Sequence, residues 1–111
     1  MLKMDLTHEN EIKRIVDTIL TAVPALAIYI FGSFASGTAT NDSDYDFYVI
    51  VPDGLQPIEV TWKITGSIPR EIRKTRSIDM LVGTESKFNK LKDVLGFIEN
   101  QVAQTGVRLY G

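Results

Sequence analysis

The chain has 111 residues, no cysteine, and a net charge of −2 from 12 Lys and Arg against 14 Asp and Glu. That length allows one domain (1–111) with a single core, without room for a separate recognition domain; the missing cysteines exclude disulfides and thiolate metal sites and fit a reducing cytoplasm. The charge argues against broad nucleic-acid binding, which rests on phosphate neutralisation, and the longest apolar stretch, Val23 to Phe31, contains a proline and falls far short of the ~20 residues of a membrane helix.

Ile12, Ile15, Val16, Ile19, Leu20 and Val23 recur at helical spacing, so a first helix is expected over about 8–22, with Thr7 as its N-cap and Pro24 ending it. Residues 25–31 read as a strand apolar throughout, hence central and buried on both faces. Ser33 to Gly37 makes a short helical turn, followed by a polar loop. A second strand runs from Asp44 to Val51 and stops at the turn Pro52-Asp53-Gly54. Residues 57–74 are ambiguous: Ile58, Val60, Trp62 and Ile64 alternate with polar residues like a half-buried strand, while Gly66 and Pro69 would break a helix. A third strand is expected over 77–82. Phe88, Leu91, Leu95, Ile98 and Val102 mark one long last helix closed by Gly106 as C′, and 107–110 form a terminal strand.

Chemistry concentrates in Gly32-Ser33, ten residues, then Asp44-Tyr45-Asp46 at the head of an apolar run. A Gly-Ser turn after a strand lets backbone N–H groups approach a phosphate chain. Aspartates at i and i+2 of a strand share a face, roughly 6.6 Å apart. That spacing suits carboxylates that bracket a pair of divalent metals ~3.5–4 Å apart. Asp79, within Ile78-Asp79-Met80, would complete the set.

Each of these has a blander reading. Asp42, Asp44 and Asp46 with Asp53 imitate a calcium loop, but its sixth position, where glycine is required, is Phe47. Asn41 to Ser43 is an ordinary turn, and Asp79 alone could simply pair with Arg73 or Arg76. Same-face aspartates in a strand repel unless a cation offsets them, which favours the metal reading of Asp44 and Asp46. Lys63, Arg70, Arg73, Lys74 and Arg76 form a basic stretch that reads as a solvated face or as a contact for phosphate or an acidic partner. His8, the sole histidine, is not expected to act as a base, and Trp62, Tyr45 and Tyr48 read as core or semi-core.

The stretch GSFASGTATNDSDYDFYVIV followed by SIDMLV resembles the nucleotidyltransferase superfamily of the DNA polymerase β type, and within it the minimal nucleotidyltransferases. The resemblance extends to the closing Gly106 to Tyr110. It implies a nucleotidyltransferase fold, a small mixed α/β (α+β) architecture with a sheet packed against helices, and a helix in 57–74. It implies Asp44, Asp46 and Asp79 as catalytic and metal-binding residues, Gly32 and Ser33 as nucleotide-binding residues, and two Mg²⁺ ions with Mn²⁺ as a substitute. The implied reaction transfers a nucleoside monophosphate, AMP from ATP, to an acceptor hydroxyl with release of pyrophosphate. Small members of the family act with a helical HEPN-type protein as antitoxins, so the implied partners are a nucleoside triphosphate and such a protein, with self-association left open. Relatives often carry a basic residue near the second glycine, where this chain has Phe34 and Ser36; that departure favours the alternative of a non-catalytic module acting by complex formation.

Overall fold

The computed structural model describes residues 6–111, with the side chains of 7–111. Its elements run α1 (Leu6–Ala22), β1 (Ala27–Phe31), α2 (Ser33–Ser36), β2 (Tyr45–Val51), α3 (Pro57–Ser67), α4 (Arg70–Thr75), β3 (Ile78–Thr84), α5 (Glu85–Leu91), α6 (Ile98–Thr105) and β4 (Val107–Tyr110). The sheet order is β3-β2-β1-β4. β1 pairs antiparallel with β2 and β4, and β2 pairs parallel with β3. A parallel neighbour cannot be reached through a tight turn, so the chain crosses over through α3 and α4.

β1 is central, and its side chains alternate between two cores as a doubly buried strand must. Ile28 and Ile30 join Phe47, Val49 and Val51 beneath α1 and α3, against Ile15, Ile19 and Ile64. Tyr29 and Phe31 join Tyr48 and Ile50 on the opposite face, packed by Phe88 of α5 and Val102 of α6.

Several local expectations are corrected. Thr7 lies inside α1, described from Leu6, so it is not the N-cap. In 57–74 the helix that the resemblance implied is borne out, and so is its interruption near Gly66 and Pro69: Pro57 opens α3, where its missing N–H is no loss, and Pro69 caps α4 after a break at Ile68. The alternation of 58–64 misleads because only Val60 and Ile64 point inward, at i and i+4, leaving Trp62 66% exposed rather than in the core. The long last helix is two helices. The chain turns at Gly96, whose φ of 96° a side chain would oppose, and Leu95 is exposed. Gly106 ends α6 in an extended conformation, φ −71° and ψ 158°, instead of a left-handed one.

Candidate active site

At one end of the sheet, the register aligns Phe31 with Asp46 and Asp46 with Asp79. The two aspartates are cross-strand neighbours on the face opposite α1, because Asp46 precedes Tyr48 by two residues and alternation returns it to that side. Asp46 is half-buried and Asp79, on the edge strand, is exposed. Asp44 lies one residue before β2, exposed at the lip of the site.

Gly32 follows β1 with φ 70° and sits against Asp46: a Cβ there would collide with the Asp46 carboxylate. Glycine is thus required twice over, by its backbone angle and by the close approach. The turn continues as α2, in which the Ala35 and Ser36 amides return to Gly32 O at 3.2 and 3.1 Å. The first amides of such a turn have no partner within it, so those of Ser33 and Phe34 stand where the sheet ends beside Asp46. Phe34 itself is core, 2% exposed, and packs on Tyr45 with ring centroids 4.8 Å apart.

The electrostatics are those of crowded carboxylates. Asp46 is pushed up from its ordinary 3.8 to about 6, first by burial, then by hydrogen bonding and repulsion from Asp79, and last by repulsion from Asp44. Among the described residues, none of these three carboxylates has a basic partner. Nor do three acidic or imidazole groups converge into a ready-made metal cage. The site is a pair, Asp46 and Asp79, with Asp44 at its rim.

Beside Asp44 opens a cleft of about 310 Å³ lined by Asn41, Asp42, Arg73, Lys74 and Arg76. Lys63, Arg70, Arg73 and Lys74 are exposed, as a solvated face requires, but Arg76 turns inward with its side chain 9% exposed. It meets His8 of α1, which the sequence did not mark as a base, and Glu11, which the sequence reading passed over. The Tyr45 hydroxyl donates to Glu11 Oε1 at 2.5 Å, and burial together with that bond holds Tyr45 protonated. His8 is buried edge-on to the Phe34 ring, so its place in the fold is structural. The one sequence signal for this network was an arginine three residues before Asp79.

Residues 10–111 match the family model described as Polymerase beta, Nucleotidyltransferase. No curated protein matches the chain. Among solved structures, the fold is similar to a toxin-antitoxin with AMP-PNP at 26% identity, covering 92% of this chain and 73% of that one with a TM-score of 0.65. It is also similar to a mutant of the toxin-antitoxin MntA-HpeT at 24% identity, covering 91% and 73% with a TM-score of 0.63, a likeness of fold alone. Among the described residues, no helix is long and apolar enough to cross a membrane.

Proposed function

The chain belongs to the polymerase β nucleotidyltransferase family, and from that premise we propose that it transfers AMP from ATP to an acceptor hydroxyl, releasing pyrophosphate. The observation that carries the reading is the Asp46–Asp79 pair set against the Gly32-Ser33 turn, which places anionic oxygens beside backbone donors at the end of one sheet. The donor set is oxygen only, which suits hard divalent cations such as Mg²⁺ or Mn²⁺. Burial and the nearby carboxylates disfavour the charged form of Asp46, a penalty that a bound cation would relieve.

Asp44 and Asp46 would hold two such cations, with Asp79 sharing one of them. When bound, they would supply charge neutralisation on the triphosphate and a lower pKa for the attacking hydroxyl. Ser33 and the amides that follow it would cradle the β- and γ-phosphates. The acceptor oxygen bonds to the α-phosphorus, the bond to the β-phosphate bridging oxygen breaks, and the hydroxyl proton passes to the Asp79 carboxylate. Positioning and electrostatics would do the catalysis, with no covalent protein intermediate.

A similar structure is a toxin-antitoxin with AMP-PNP, an ATP analogue. That supports an antitoxin role with a toxin as partner; in this proposal the pair is cytoplasmic and the toxin is a helical HEPN-type protein, which would itself be the acceptor. A second reading, a module that acts by complex formation alone, is favoured by Phe34, which is buried in the core in a loop where the resemblance implies a basic residue. Calorimetry with ATP and Mg²⁺, followed by mass analysis of a co-expressed partner for added AMP, separates the two. Nucleotide binding with a partner mass shift supports transfer. Complex formation without nucleotide binding would refute it.

A further inference from the structure

Asp46 is fixed by ladder bonds on both sides of β2, but Asp44 lies outside the strand. The loop before it is held internally only by a local turn, Ser43 N to Thr40 O at 3.1 Å and Thr40 N to Ser43 Oγ at 2.8 Å. Such a turn shapes the loop without tying its 41–44 end to the body of the domain, although Ala39 packs against the core. Arg76 supplies the side-chain tie at that end. Its Nη1 donates to Asn41 O at 3.0 Å and to Ser43 O at 2.6 Å, the carbonyls on either side of Asp42.

The guanidinium is itself well anchored. It lies 4.8 Å from the Tyr45 ring centroid and 5.6 Å from that of Phe34, and Nη2 meets His8 Nε2 at 2.8 Å. An arginine placed only to stabilise the domain would be expected to fork onto Glu11. Instead Glu11 Oε1 stands 3.7 Å from Nε, too far for a hydrogen bond, and Nε is left buried without one. Both charge-assisted bonds from Nη1 are directed at loop carbonyls, while Nη2 faces His8. Arg76 also stands two residues before β3, and the adjoining Ser77 O accepts from Tyr45 N at 3.1 Å. One side chain therefore joins the start of the strand that carries Asp79 to the loop that carries Asp44.

We propose that Arg76 is a positioning residue that fixes Asp44 relative to the Asp46–Asp79 pair, completing a divalent-cation site that the pair alone leaves open. The proposal rests on the nucleotidyl-transfer reading. It accounts for why three carboxylates separated in sequence can cooperate although only two of them share strand register.

The test uses Arg76→Lys, which keeps the charge but loses the planar guanidinium that spans the rings, His8 and the two carbonyls, and Arg76→Gln, with Asp44→Asn as control. Amide hydrogen exchange of the metal-free proteins is measured alongside Mn²⁺ affinity in the presence of AMP-PNP. For Arg76→Lys, exchange should quicken within 41–44 while β4 and α6 stay as protected as before. Mn²⁺ affinity should fall roughly 10–100-fold, the effect typical of removing an outer partner of a metal ligand. Asp44→Asn should lose affinity with no change in loop exchange. If Arg76→Gln fails to fold, Arg76→Lys decides alone. The proposal is overturned if Arg76→Lys leaves loop exchange or Mn²⁺ affinity unchanged, or loosens the whole chain uniformly. Failure of the unsubstituted chain to bind Mn²⁺ with AMP-PNP overturns the transfer reading as well.

Discussion

Two carboxylates reach the same face of the sheet along β2, and the fold treats them in opposite ways. Glu99 of α6 is 3% exposed, accepts from the Tyr48 hydroxyl at 2.7 Å, and has Lys87 Nζ 4.0 Å away. Asp46, two residues from Tyr48, meets another carboxylate. The chain can therefore satisfy a deeply buried acid when α5 and α6 cover it. Leaving Asp46 beside Asp79 at the open end stores repulsion where a ligand can relieve it.

The largest expected effect tests whether the open end is catalytic. Asp46→Asn and Asp79→Asn should each lower AMP transfer by roughly 10²–10³-fold, read as pyrophosphate release, with circular dichroism unchanged. Full activity in both would erase the contrast. Next comes the closed end. Glu99→Ala leaves the Tyr48 hydroxyl buried without its acceptor and should cost about 1–3 kcal/mol in denaturant unfolding, with nucleotide affinity preserved in the folded fraction. A neutral result would mean that Glu99 is as dispensable for folding as Asp46.

The sign of the effect should reverse at Asp46. Its folded-state value of about 6 against an ordinary 3.8 means that the folded protein holds a proton the unfolded chain has released between those values. Burial first, and then the crowding by Asp79 and Asp44, thus erode stability as pH rises from about 4 to about 6, and in full above that. Asp46→Asn should stabilise by about 1 kcal/mol at pH 7.5, after allowance for solvent screening at a half-exposed group. The gain should vanish near pH 4, as thermal melts across the range would show. The smallest effect concerns a residue in neither region: Trp62→Ala should shift the isolated chain by no more than ~0.5 kcal/mol, yet weaken complex formation in a pull-down with the partner.

What could be read from sequence was what local chemistry dictates. The period of two in β1 and β2, the Gly-Ser turn and the aspartate spacing each depend on neighbours within a few residues, and the strands lie within a residue or two of where they were expected. Thr7, the split at Gly96 and the face that 58–64 buries were not legible from residue pattern, because tertiary contacts decide them; the helix in 57–74 came from the resemblance alone. Val60 and Ile64 needed a sheet to face. The break at Gly96 lets α6 run back, with Asn100 Nδ2 donating to Lys92 O at 2.8 Å. In the site, sequence offered three equivalent aspartates. Only the parallel register distinguishes the Asp46–Asp79 pair from Asp44, and register between strands separated by α3 and α4 is invisible in a single chain. Arg76 was absorbed into a basic stretch for the same reason, since its carbonyl partners lie 35 and 33 residues away.

The position of β3 has a consequence outside catalysis. It is an edge strand, paired on one side only, and its run Ile78-Asp79-Met80-Leu81-Val82-Gly83-Thr84 carries a single charge. An apolar edge of this kind is a template for intermolecular strand addition and aggregation, and one charge is a common gatekeeper against it. Asp79 is therefore placed to act as such a gatekeeper as well as facing Asp46. A neutral substitution there would remove both safeguards at once, so solution behaviour belongs beside activity whenever that position is changed.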